Sequence, residues 1–358
     1  MTLSDDRRAL HRIPELDWQL PQTAAYLRSR LEALPCRVFE PCGSAVCAYF
    51  DFGREQTAAF RSDMDALPVT EATGLPFASE HPGRMHACGH DGHMAMLLGL
   101  AEHLAAQPAE KMRDNVLLIF EPAEETTGGA ARLCETGLLE AHRVTRIYGL
   151  HLWPELPQGT VASCPGGMMA RSCEVTVEIA GKSTHIARWR EGNDALFAVV
   201  RFVEAVYALA AHENCVLRFG KLESGTVCNA VSDRSVLRGS LRCWDDTAAE
   251  RLADGMNAAA ERVQAESGCS VKIHRSAGYP PVANDAALLE QARKRFPVET
   301  ARPTYTTEDF SVYQRRVPGV FFWVGTGTPQ YAAPLHSPQF DFDERVLETG
   351  LALLISLL

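Results

Sequence analysis

Residues 57–68 read TAAFRSDMDALP, an apolar run from Thr57 to Arg61 that passes directly into Ser62-Asp63-Met64-Asp65-Ala66-Leu67-Pro68. A short apolar run closed by polar residues and a proline reads as a buried strand feeding a loop. The same pattern recurs where residues 116–120 run into Glu121-Pro122-Ala123-Glu124-Glu125, and where residues 146–150 end at His151. Residues 45–50 read as another strand, and residues 23–34 and 92–106 carry apolar side chains at helical spacing. Strands alternating with helices predict an α/β domain with a mainly parallel sheet. In such sheets, sites form in the crevice outside the carboxyl ends of the strands, so the polar residues after three strands are expected to converge. Singly, each has a plainer reading as a helix cap or a solvated loop charge.

From Ser172 the pattern changes. A strand with an alternating pattern at 173–179 is followed by a helix at 194–211, strands at 215–222 and 235–244, a helix at 247–266 and a strand at 270–274. The order β-α-β-β-α-β is that of a ferredoxin-like α+β unit. A helix at 285–295, a buried strand at 319–324 and a closing helix at 344–358 then return to the first pattern. The expected organisation is a discontinuous domain, residues 1–169 and 280–358, interrupted by an inserted unit at 170–279. A chain of 358 residues exceeds the size of one core, in keeping with two units.

The net charge of -10 and the lack of clustered Lys and Arg argue against a nucleic-acid surface, while leaving room for a local site for a small anion. The opening MTLSDDRRALHRIPELDW has early acids and no export signal, and the most apolar segments, 94–106 and 196–211, are short or broken by Glu, His or Arg. A membrane span needs about 20 apolar residues, so no membrane association is expected. Eleven cysteines, an odd number without a CxxC pair, scatter through apparent core strands. That usage fits a reducing, cytoplasmic setting, with most of them buried as small hydrophobes and Cys88 set apart.

Cys88 belongs to the densest cluster of chemistry, His86-Ala87-Cys88-Gly89-His90-Asp91-Gly92-His93. Thiolate and imidazole both suit zinc-like metals, and a helix start favours the thiolate. His86 and His90 have the spacing of a zincin helix, but Gly89 lies between them and the required Glu is missing. Cys88 and His90 remain as partners, with Gly89 bending the backbone so that both face one metal cluster and His93 turned into the helix packing. The plainer reading is surface histidines beside a buried cysteine. Glu124 and Glu125 read as neighbours in an extended segment that point to opposite sides, so one can bind metal while the other faces an attacking water as base and then acid. An exposed acidic turn is the alternative. Far downstream, Pro334-Leu335-His336-Ser337-Pro338 holds a histidine in a rigid turn, with Glu308-Asp309-Phe310 upstream of it. In the inserted unit, His185 of Gly181-Lys182-Ser183-Thr184-His185 and Asn229 of Gly225-Thr226-Val227-Cys228-Asn229 either offer hydrogen bonds from loops or finish turns.

These motifs together resemble the metallo-aminohydrolase family that includes aminoacylase, hippurate hydrolase, auxin-conjugate hydrolases and N-acetyldiaminopimelate deacetylase. The resemblance spans nearly the whole chain through LHRIPEL (10–16), RSDMDALP (61–68), MHACGHDGH (85–93), EPAEE (121–125), GLHLWP (149–154), GKSTH (181–185) and LHSP (335–338). It implies an amidohydrolase acting on an N-acyl amino acid, with two divalent ions per subunit held by Cys88, His90, Glu125, His151 and His336, Cys88 bridging, and Glu124 as base. It also implies that the inserted unit is a lid that pairs subunits into a homodimer or larger assembly, with His185 stabilising the oxyanion in the other subunit's site. Zinc, manganese, cobalt and nickel all suit such donors.

Two departures stand out. Where one branch of the family places a ligating His-x-Asp, this chain has Asp63-Met64-Asp65, so no ligand is carried over and Asp65 is expected to support the ligands. After His185, the chain has Arg188 and Arg190 where relatives commonly have a proline nearby, which points to selectivity for an anionic group. EPAEETTGGA (121–130), TEDF (307–310) and GVFFWVG (319–325) are closest to the diaminopimelate deacetylases. Two rival expectations remain: Cys88 acting as a nucleophile with a histidine base, and a non-catalytic metal- or ligand-binding protein on the same fold.

Overall fold

The computed structural model describes residues 1–213 and 215–358. The chain divides into two compact units, one of Met1–Met168, Val282–Arg302 and Glu308–Leu358, the other of Met169–Pro281 and Pro303–Thr307. The short return at 303–307 joins the second unit because Met169 bridges Thr304 and the Ala170 N–H donates to the carbonyls of Thr304 and Thr306.

The first unit is built on a sheet containing Arg37–Phe39 (β1), Val46–Phe50 (β2), Thr57–Asp63 (β3), Asn115–Glu121 (β4), Val144–Pro157 (β5) and Val161–Ser163 (β6). Gly166–Met169 (β7) pairs apart from it with Val282–Asn284 (β12), and the large sheet is completed by Glu299–Thr300 (β13) and Gly319–Gly327 (β14). Its order is β1-β2-β4-β3-β5-β14-β6-β13. The central strands β4, β3, β5 and β14 run parallel, and the antiparallel pairs lie toward the edges. Every residue of β3 and β4 is buried, which is why both read as unbroken runs rather than alternating ones. Helix His90–Ala105 packs with helices Leu3–His11 and Val346–Ser356, and its Leu97 and Leu100 share one core with Phe60, Leu118, Phe322 and Leu353. Helix Leu3–His11 has no counterpart among the sequence expectations; a capping box between Thr2 and Asp5 starts it.

The second unit orders its strands Arg171–Ala180 (β8), Val216–Ser224 (β9), Arg234–Cys243 (β10) and Ser270–Arg275 (β11) as β11-β8-β10-β9, all antiparallel. With helices Ala195–His212 and Asp246–Ser267 between them, this is the ferredoxin-like arrangement. Asp194 and Asp245 cap the two helices by accepting from N–H groups of their first turns. Helix Ala195–His212 is long and apolar enough to cross a membrane by length and composition, yet it buries Ala198, Val199, Phe202, Val206 and Ala210 in this unit's core. Its other face exposes Leu196, Phe197 and Val200. Among the described residues, every exposed large apolar side chain except Met1 lies in this unit.

Candidate metal centre

Three loops and one strand of the first unit meet at the carboxyl ends of the central strands. Gly89 caps helix His90–Ala105 in the left-handed region at φ 86, and the turn it makes sets Cys88 and His90 on one cluster with Glu125. One donor atom from each of these three lies within 4.8 Å of the others. Cys88 Sγ is 3.3 Å from His151 Nε2, and Glu125 Oε1 is 3.3 Å from His336 Nε2 and 3.9 Å from His90 Nε2. Cys88, His90, Glu125, His151 and His336 therefore form one group. His336 reaches it from a turn whose backbone N–H donates to the Ala87 carbonyl at 2.8 Å, and it takes a left-handed φ of 65 although it carries a Cβ.

Hydrogen bonds aim the imidazoles. His151 Nδ1 bonds the Leu152 carbonyl at 2.6 Å and His90 Nδ1 bonds the Asp65 carbonyl at 2.8 Å. A carbonyl accepts only, so both rings carry a proton on Nδ1 and turn Nε2 toward the group. Such a bond on the far nitrogen is the usual support for a metal-bound histidine. The Asp65 carboxylate accepts from the N–H groups of Glu124 and Glu125 at 3.1 and 3.2 Å, fixing the loop that carries both.

The donor set fits divalent transition-metal ions. His90 Nε2 and Glu125 Oε1 are buried without a hydrogen-bond partner, a costly state that a cation between them relieves. Burial, then the charges of Glu125 and Glu124, push the Cys88 thiol well above its ordinary value, the reverse of the expectation from a helix start alone. Burial pulls the other way at His90, but Asp63, Asp65 and Glu125 outweigh it and raise that imidazole to about 10. His151 is pushed down to about 3 by burial and by neighbouring His93.

Two local readings of the sequence are corrected. β5 does not end at His151 but continues to Pro157, because β14 keeps pairing with it after β3 has left at Gly149. Glu124 and Glu125 sit in a turn rather than an extended segment, after Ala123 at φ 65. The turn still separates them: Glu125 joins Cys88 and His90, whereas Glu124 groups with Glu308 and Asp309.

Around this group lie further residues named from the sequence and one, Arg61, that was given no role there. His93 is buried as expected and lies with Asp63, His90 and His151 in a second group of donor atoms within 4.8 Å of one another, but both of its nitrogens are engaged, Nδ1 with Asp63 at 2.6 Å and Nε2 with the Leu152 N–H at 2.9 Å. Arg61 is fully enclosed among Asp63, Glu121, Asp309 and Glu308 at 2.8, 2.9, 2.8 and 3.2 Å. An arginine in an otherwise apolar buried strand was the available signal, since a buried charge must be paired. Glu308 also accepts from the Phe310 N–H. His86 stays out of the donor group, buried against His11. His185 and Asn229 belong to the second unit, where they lie side by side: the Ile186 N–H donates to the Asn229 carbonyl, and His185 Nδ1 accepts from the Ala187 N–H. That bond places the His185 proton on Nε2.

The peptidase family M20/M25/M40 model matches residues 59–358. An N-acetyldiaminopimelate deacetylase of Streptococcus uberis is 36% identical, over 96% of this chain and 95% of its own. One from Streptococcus pneumoniae is 35% identical, over 100% of this chain and 98% of its own. Among solved structures, the Bacillus subtilis YXEP protein, described as a dinuclear metal binding peptidase from the M20 family, superposes with a TM-score of 0.88 at 31% identity, covering 99% of this chain and 96% of that one. With a mixed α/β fold, a mainly parallel large sheet and a family match over most of its length, the chain is a hydrolase that belongs to peptidase family M20/M25/M40.

Proposed function

We propose that this chain is a two-metal amidohydrolase that removes the acyl group from the nitrogen of an amino acid, N-acetyldiaminopimelate being the first candidate. The observation that carries the reading is the five-donor group, in which His90 Nε2 and Glu125 Oε1 are buried and make no hydrogen bond. The names of the deacetylase relatives support the substrate class. Cys88, His90, Glu125, His151 and His336 would hold the ions, with Cys88 central because its sulfur lies beside His151 and shares a cluster with His90 and Glu125. Zinc, manganese, cobalt or nickel bound there polarises a carbonyl and acidifies a water.

Glu124 is the proton carrier of the chain. Its carboxylate takes a proton from the attacking water and returns it to the departing nitrogen, which completes amide cleavage without a covalent enzyme intermediate. Asp65 holds the Glu124 and Glu125 backbone in place, and Arg61 anchors Glu308 and Asp309 next to Glu124. His185, protonated on Nε2, is the candidate oxyanion donor, contributed across a homodimer through the exposed apolar face of the second unit. A cytoplasmic setting accompanies this reading.

The 3.3 Å contact between Cys88 and His151 is also the geometry of a thiol nucleophile and its base. Its electrostatics oppose that use, because the thiol is pushed up and the imidazole down, so both favour the neutral pair. Amine release from a panel of N-acyl amino acids, including N-acetyldiaminopimelate and hippurate, separates the readings. Loss on chelation with recovery on adding metal supports the two-metal reading; full turnover in chelator, ended by a thiol alkylator, supports the nucleophile. Metal binding with silence across the panel points to a binding role.

A further inference from the structure

The second unit carries a pair of thiols on the inner face of its sheet. β9 and β10 run antiparallel with Leu217 opposite Leu241 and Val216 opposite Arg242. Extending that register by one residue sets Cys215 opposite Cys243. Directly opposed residues in such a pair have Cα atoms about 4.5–5.5 Å apart, inside the span of about 4.4–6.8 Å that a disulfide bridges. Both side chains join the same core as Leu217 and Leu241, and the Cys215 thiol donates to the Glu213 carbonyl at 3.6 Å. All eleven cysteines are reduced in this structure. The pair is asymmetric: Cys243 is 0% exposed and Cys215 is 8% exposed. Cys215, the more exposed member, is the thiol that a small disulfide reaches first, and Cys243 behind it is placed to resolve the mixed disulfide.

We propose that Cys215 and Cys243 are a reversible cross-strand disulfide site that exchanges with small disulfides of the oxidised glutathione class. The Cys215 thiolate attacks one sulfur of the small disulfide, breaking its S–S bond, forming a mixed disulfide and releasing one thiolate that takes up a proton. Cys243 then gives up its proton and attacks the Cys215 sulfur, forming the protein disulfide and expelling the second small thiol. Two protein S–H bonds are lost, one protein S–S bond forms, and the small disulfide is reduced to two thiols. The bridge ties the start of β9, just after helix Ala195–His212, to the end of β10, just before helix Asp246–Ser267. It thereby fixes that end of the sheet between its two helices.

The test is non-reducing peptide mapping of the full chain after incubation with oxidised glutathione, with remaining thiols alkylated before digestion. A linked peptide containing Cys215 and Cys243 is expected, together with its disappearance on reduction and its persistence in Cys228→Ser, which removes the exposed cysteine. In Cys243→Ser, glutathione should remain on Cys215. The proposal is overturned if Cys215 and Cys243 are both recovered as alkylated free thiols while Cys228 has been modified. It is equally overturned if wild-type Cys215 keeps glutathione without passing it on. The wild-type map decides even where a variant fails to fold.

Discussion

At the level of single residues, the site rests on groups whose neighbours leave them one remaining role. Glu124 and Glu125 are adjacent in sequence, yet Glu125 belongs with Cys88 and His90 while Glu124 stands with Glu308 and Asp309. Glu124→Gln should therefore bind the same metal complement as wild type while losing about 10²–10⁴-fold in turnover, the usual contribution of an acid-base group. Metal analysis beside steady-state kinetics checks this, and near-normal rates would remove Glu124 from the proton transfer. Arg61 makes a different prediction. Replacing it with Met leaves four buried carboxylates without their cation, and breaking a buried pair in this way costs about 3–5 kcal/mol. A denaturant titration of Arg61→Met should show that loss, and an unchanged midpoint would mean that the carboxylates are neutralised by something else.

Among the secondary-structure elements, the parallel strands and the ferredoxin-like order were legible because burial on both faces, or alternating burial, leaves a direct mark on composition. Helix Leu3–His11 left a weaker mark, since Arg7 and His11 are buried by ion pairs rather than by apolar character. The continuation of β5 through His151 depends on β14, far away in the chain, and the turn at Glu124 depends on a left-handed Ala123. Neither has a local signature. The same N-terminal helix supplies a pH prediction. His11 bonds Asp91 at 2.8 Å and Glu71 at 3.3 Å, bracing the first turn of the helix that begins with His90. Burial would lower the His11 pKa, but the charge and bond of Asp91 and the bond of Glu71 outweigh it and raise the value to about 9. Because the folded value lies above the roughly 6.5 of a free imidazole, the stabilisation is complete below that pH and is lost as pH rises through about 9. The gap in melting temperature between wild type and His11→Gln should be widest near pH 6 and shrink by about pH 10. A gap that does not change with pH would mean that His11 is held neutral.

For the whole molecule, the donors come from segments that the sequence keeps far apart, and convergence was legible only as a rule about parallel sheets. The Arg61 cluster was not, because its partners end β3 and β4 and precede β14 without any shared motif. The exposed Leu196, Phe197 and Val200 make the second unit the candidate subunit interface. Phe197→Glu should shift the assembly toward monomers in sedimentation and, if His185 acts across subunits, depress turnover in parallel. Monomers with full activity would separate the interface from catalysis. The central claim is tested most directly by titrating metal into chelated protein while following amine release from N-acetyldiaminopimelate. Turnover should be absent without metal and rise to a plateau at two ions per chain; full turnover in the chelated protein would contradict the two-metal site.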